Sequence, residues 1–211
     1  MTWKTMNRLE RIEHIWAYYK VHILFSIAVI LILGSLVNTY WLNPKPDIVM
    51  DITIRTKSYD MVYAGQLEDT LNQQVMNGEE NEALMIEFLE INPEVNPTTS
   101  MTSEARFMGK SSVNALDILI IDEENKEFLT ENKFFMSIEE MKDDPEGADL
   151  IKRLEVLGAK NIDGKFLMAL DFFPKLRPLI QEEDENYYIG VYALSNHKED
   201  IIRVLNYLIG E

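Results

Sequence analysis

The run Val21–Leu42, VHILFSIAVILILGSLVNTYWL, decides how the chain is organised. It contains no Lys, Arg, Asp or Glu, and its centre, Ile23–Val37, is apolar apart from Ser26, Gly34 and Ser35. A helix rises about 1.5 Å per residue, so twenty-odd residues cover a hydrocarbon core of roughly 30 Å. Trp16, Tyr18 and Tyr19 precede the run, and Tyr40 and Trp41 close it. Amphipathic rings at both ends suit the two levels where a bilayer meets water.

A cleaved signal peptide is the rival reading. Its apolar region spans about 7–15 residues and ends in a small-x-small site. Here Gly34 and Ser35 lead into Leu-Val-Asn-Thr-Tyr-Trp, which offers no such site. The leader is also long: residues 2–20 place Met6, Leu9, Ile12, Ile15, Trp16 and Tyr19 at helical steps. A retained single-pass signal-anchor is therefore expected. The first 42 residues carry four basic and two acidic side chains, a net of +2. That bias puts the N-terminus in the cytoplasm and the remainder outside the cell, against a counterweight from Lys45, Arg55 and Lys57. Residues 1–20 read as an amphipathic cytoplasmic-side helix, 21–42 as the anchor, 43–46 (Asn-Pro-Lys-Pro) as a stiff spacer, and 47–211 as one extracytoplasmic domain. The lipid bilayer is the first expected partner.

Beyond the anchor the chain carries 16 basic and 34 acidic residues, a net of −18 within a total of −16. Such a domain repels nucleic acid and anionic headgroups, so no nucleic-acid partner is expected. The absence of Cys removes disulfides, thiolate zinc sites, thiol catalysis and a lipobox anchor. The three His residues are scattered, and no metal or other cofactor is expected.

Within the domain, apolar periodicity alternates between strand and helix. Asp47–Arg55 reads as a half-buried strand, with Ile48, Met50, Ile52 and Ile54 inward and Val49, Asp51, Thr53 and Arg55 outward. A helix over Tyr59–Met76 ends at Asn77-Gly78, and Ala83–Ile91 is a second strand. Thr98–Gly109 is a helix; Leu116–Ile121 is apolar enough for a central strand covered on both faces. Glu127–Asn132 reads as a short helix with Phe128 and Leu129 inward, and Ser137 as the cap of a helical turn, with Glu140 three residues on. Pro145–Leu157 is a helix, Lys165–Phe173 and Tyr187–Leu194 are strands, and Lys198–Ile209 is a closing helix capped by Ser195 or Asn196. The expected fold is α/β, a mixed and largely parallel sheet flanked by helices.

Segments 101–141 (MTSEARFMGKSSVNALDILIIDEENKEFLTENKFFMSIEEM) and 185–209 (ENYYIGVYALSNHKEDIIRVLNYLI) resemble pieces of extracellular solute-binding proteins of the sugar-binding type. That resemblance implies a domain descended from one solute-binding lobe, at less than half the family's usual length. Ala115-Leu116-Asp117-Ile118 stands where the family carries Pro-Asp. The opening Glu13–Ile23, EHIWAYYKVHI, is similar to small membrane-anchored bacterial proteins, which implies a location and no activity.

Catalytic signatures are missing. Gly109-Lys110-Ser111-Ser112 lacks the upstream glycine of a phosphate loop and precedes a strand where such a loop follows one. Asp143-Asp144 and Glu182–Glu185 lack EF-hand spacing. Asp117 and Asp171 lie in apolar runs as candidate buried carboxylates. No enzymatic activity and no catalytic residue is expected. Ligands of open α/β sheets bind beyond the carboxyl ends of strands, which selects Lys57, Asp122 and Glu123 as a pocket rim. Tyr187, Tyr188, Phe172 and Phe173 fit core packing better than sugar stacking. The expected function is binding a small molecule or a partner protein at the membrane surface. The alternative is a structural or regulatory subunit of a membrane complex.

Overall fold

The computed structural model describes residues 8–42, 47–76, 82–181 and 186–210, with side chains from Trp16 onward. The start of the leader, the 43–46 spacer, the Asn77-Gly78 stop and the 182–185 acidic run lie outside the described residues. Two compact units divide the chain, Met1–Pro46 and Asp47–Glu211.

The first unit is helix α1, Arg8–Val37, continued by a wider π turn over Asn38–Leu42. Leader and anchor are thus one helix. Trp16–Leu42, 27 residues, is apolar and long enough to cross a membrane, and none of it is buried. Trp16, Tyr18, Tyr19, Tyr40 and Trp41 are all exposed.

The second unit is α/β. Its strands are β1 (Asp47–Thr56), β2 (Glu82–Glu90), β3 (Ile118–Asp122), β4 (Leu167–Ala169) and β5 (Tyr187–Val191). Its helices are α2 (Met61–Gln74), α3 (Pro97–Ser112), α4 (Glu123–Glu131), α5 (Ile138–Lys142), α6 (Pro145–Val156) and α7 (Lys198–Ile209). The sheet runs β2-β1-β3-β5-β4. β1 lies parallel to β2 and β3, while β5 is antiparallel to β3 and β4.

The two faces have separate cores. Met50, Ile52, Ile54, Ile118 and Ile120 pack with α2, α6 and α7 on one face. Leu119, Ile121 and Leu89 pack with Phe107 of α3 and Leu129 of α4 on the other. β3 is therefore buried on both faces, as its unbroken apolar run requires. Two close approaches exclude side chains. A Cβ on Gly147 would strike the Met141 carbonyl oxygen, and one on Gly190 would strike the Phe135 ring.

Several sequence expectations need correction. β1 is covered on both faces from Met50 onward: Asp51, Thr53 and Arg55 are buried beneath α3, where the sequence suggested an outward polar face. The α4 helix starts at Glu123 because Asp122 caps it, and in that register Leu129 is buried while Phe128 is 50% exposed. Lys165–Phe173 is a strand only over Leu167–Ala169. Leu170–Phe172 then turns as a 3-10 helix, whose three-residue period brings Leu170 and Phe173 into the core and leaves Asp171 in solvent. β5 stops at Val191, and α7 has His197 at its N-cap position without a side-chain cap. Gly109-Lys110-Ser111-Ser112 is the last turn of α3. Ser137 does cap α5, accepting the Glu140 N–H at 3.1 Å.

Candidate functional site

After β1 the chain enters α2 on one face of the sheet, and after β3 it enters α4 on the other. The carboxyl ends of these adjacent parallel strands therefore flank a crevice at a topological switch point. Ile54 pairs with Ile120, which sets Thr56 beside Asp122 and Lys57 just beyond. Antiparallel β5 begins at the same edge, with Tyr187 opposite Asp122.

The fold thus gathers Lys57, Asp122 and Glu123 on one edge and gives each a different task. Lys57 is exposed. Asp122 turns inward: its Oδ1 accepts the Asn125 N–H and the Asn125 side-chain amide, both at 2.8 Å. Glu123 forms an ion pair with Lys126 and accepts a hydrogen bond from the Tyr188 hydroxyl. Those bonds, Lys126 first, hold the Glu123 carboxyl below its ordinary value. The Glu123 bond likewise raises the Lys126 ammonium. Lys126 also sits 4.4 Å over the Tyr188 ring. Tyr187 and Phe173 are core residues, and the half-buried Phe172 and Tyr188 each pack against a core, Tyr188 with its hydroxyl turned to Glu123. Thr56 Oγ1 and the Tyr187 hydroxyl lie 2.7 Å apart, tying β1 to β5 across β3.

A polar cavity of about 150 Å³ opens on this edge, lined by Asp171, Arg177, Asn186, Tyr187 and Tyr188. Arg177 Nε lies 3.9 Å from Asp171 Oδ1. A larger acidic groove of about 690 Å³ runs along α4, where Glu124, Glu127 and Glu131 face Asp163. Among the described residues, no group of three or more His, Asp or Glu side chains is placed to hold a metal ion.

Beneath α3 lies an ion-pair layer that sequence reading missed. Lys110 Nζ reaches Asp51 Oδ2 at 2.6 Å and Glu87 Oε2 at 2.5 Å. Thr53 donates to Asp51, and Arg106 faces the other Glu87 oxygen as a charge contact. Arg55 Nη2 meets Glu104 at 2.5 Å and Asn125 Oδ1 at 3.2 Å, and its guanidinium stacks 4.3 Å from the Phe107 centroid. Burial pushes Asp51 up against the pull of Lys110, and pulls Arg55 down against Glu104 and Asp122. The signal was present: Glu104, Phe107 and Lys110 recur every third residue on α3, opposite Asp51 and Arg55 on alternate β1 positions.

Asp117, expected as a buried carboxylate, is one. Its Oδ2 accepts the Asp51 N–H at 2.9 Å, and its Oδ1 is 2.5 Å from Ser195 Oγ and 3.0 Å from His197 Nδ1. The serine hydroxyl and the imidazole both bond to the carboxylate, and Ser195 Oγ accepts the His197 backbone N–H at 3.1 Å, not a ring nitrogen. No relay activates Ser195, so the cluster is a brace between the start of β3 and the start of α7.

The fold and this edge define an α/β domain following a single apolar span. Compared with protein families, curated proteins and solved structures, the chain matches none of them.

Proposed function

We propose that the chain is a membrane-anchored binding module, with its N-terminus in the cytoplasm and its α/β domain outside. Its carboxyl-end edge docks a partner protein near the membrane surface. The observation that carries this reading is that Asp47–Glu211 forms one compact unit. A solute-binding protein closes two lobes over its ligand, and a single lobe instead presents an open edge. The inward polar groups of that edge, Asp122 and Arg55, are committed to internal partners, while Lys57, Glu123, Lys126 and Tyr188 reach the surface. The net charge of −18 beyond the anchor keeps the domain off anionic headgroups and favours a partner with a basic face.

A second reading, a small molecule held by one lobe, is favoured by the cavity between Arg177 and Asp171. Its volume is below the roughly 300–1,000 Å³ of ordinary ligand pockets. The order strand-helix-strand-helix-apolar strand also agrees with the solute-binding resemblance.

Purification from crosslinked membranes in mild detergent tests the first reading. A partner is expected, and it is lost when Glu123 and Tyr188 are replaced by Ala together. Recovery of the chain alone defeats the proposal. Thermal stabilisation by a sugar, peptide or divalent ion supports the second reading instead. Protease added to intact cells should digest residues 47–211, and protection equal to that of cytosolic proteins reverses the orientation.

A further inference from the structure

β2 is an edge of the sheet, and among the described residues β1 is its one strand partner. Its odd-numbered residues turn their backbone groups toward β1, a pattern the Ile91 N–H continues by donating to the Thr56 carbonyl at 3.0 Å. Its even-numbered residues point outward. The sequence here, EALMIEFLE, is apolar and β-prone. An exposed edge of that kind is a template for pairing with another chain.

Side chains from two helices occupy the outward positions. The Leu84 N–H donates to Asn72 Oδ1 at 2.7 Å, and Asn72 Nδ2 donates back to the Leu84 carbonyl at 3.0 Å. One carboxamide thereby supplies both the donor and the acceptor that a neighbouring strand would supply. The Ile86 N–H donates to Glu68 Oε2 at 2.7 Å. Beyond the strand, the Asn92 N–H donates to Ser100 Oγ of α3 at 2.9 Å. Glu68 and Asn72 stand four apart on α2, one helical turn, and alternate outward amides of β2 are about 6.6 Å apart, so one helix face serves both.

We propose that α2 is a latch on this edge: Glu68 and Asn72 fill the hydrogen-bonding positions that β2 of a second copy would take. They keep two chains from joining edge to edge. From Leu84 to the end of β2, only the Phe88 and Glu90 amides remain outward without such a side chain among the described residues, and two positions are too few to seat a strand. Glu82 and Glu90 add repulsion, because a two-fold pairing centred near Ile86 would set each against the other's copy.

The test uses the full-length chain in detergent micelles. It carries Ile86→Cys as a crosslinking reporter, since the parent chain has no cysteine and a two-fold pairing over Leu84–Phe88 sets residue 86 opposite its own copy. Adding Glu68→Ala and Asn72→Ala should raise the yield of disulfide-linked dimer at least about tenfold at equal concentration. A folded double variant whose crosslinking equals that of the reporter alone overturns the latch. Hydrogen exchange on the unmodified protein decides the matter if the double variant does not fold. Leu84 and Ile86 amides should exchange about tenfold or more slowly than those of Phe88 and Glu90, the factor that about 1.4 kcal/mol of hydrogen bonding confers. Equal rates at the four positions would overturn it as well.

Discussion

Replacing Lys110 by Met should destabilise the α/β domain by about 3 kcal/mol at pH 7. Methionine keeps the packing of the lysine stem and removes its charge. That strands Asp51 and Glu87, whose side chains are 6% and 10% exposed, on either side of an apolar group. Breaking a buried pair by removing one partner costs about 3–5 kcal/mol, because the other charge remains buried. The lower end applies, since Lys110 itself keeps 19% of its exposure and Arg106 still faces Glu87. The loss should depend on pH in a defined direction. Burial already raises Asp51 above its ordinary 3.8, and Lys110 opposes that rise. Without Lys110 the folded pKa climbs further. A carboxylate raised in the folded state takes up its proton there before the unfolded chain does. The variant therefore regains stability as pH falls through that raised pKa toward the unfolded value. All three tryptophans, Trp3, Trp16 and Trp41, precede the domain, so their fluorescence does not report its unfolding. Denaturant titration followed by far-ultraviolet circular dichroism does. A loss below about 1 kcal/mol at pH 7, or an equal loss at pH 7 and pH 4.5, refutes the assignment. Adding Asp51→Asn should return part of the loss by removing one stranded charge.

Asp122→Ala should cost about 1–2 kcal/mol in the same titration, through the lost cap of α4 and a less compensated Arg55; Asp122→Asn should cost less. Gly147→Ala should destabilise by about 1–3 kcal/mol and speed amide exchange in α5, because its Cβ meets the Met141 carbonyl, which is backbone and cannot swing away. Glu123→Gln should change stability by less than about 0.5 kcal/mol, because its side chain is 50% exposed. What little it contributes is present at neutral pH and lost as pH falls through the lowered carboxyl pKa.

Sequence reading located the α/β alternation because each element carries its own period. Leu116–Ile121 reads as a buried strand from its apolar run, which the structure places at Ile118–Asp122, and α7 reads from Ile201, Ile202, Leu205 and Leu208. It failed where a residue's role depends on a distant partner. Asp51 and Arg55 look solvent-facing until α3 lays Lys110 and Glu104 over them. Asp122 looks like a loop charge until Asn125 is seen folding back onto it. The same ambiguity affects the candidate edge. Lys57, Asp122 and Glu123 are placed together by strand register, which short-range pattern implies, but which of them faces inward is set by helix capping. Lys165–Phe173 misled because strand and 3-10 periods both fit a short apolar run, and the buried pair Leu170 and Phe173 separates them.

The position of β5 has a consequence for how the domain is made. This strand comes last in the chain yet sits inside the sheet, between β3 and β4. A chain that emerges residue by residue from a ribosome presents β1 to β4 first, and these cannot join into one sheet, because β4 reaches the rest only through β5. β3 keeps an unpaired flank until Val191 is free, and the core under α7 stays open until Ile209 follows. Long-range closure of this kind is slow and comes late. The sheet is consequently completed only once Tyr187–Val191 is available, however early β1, β2 and β3 come together.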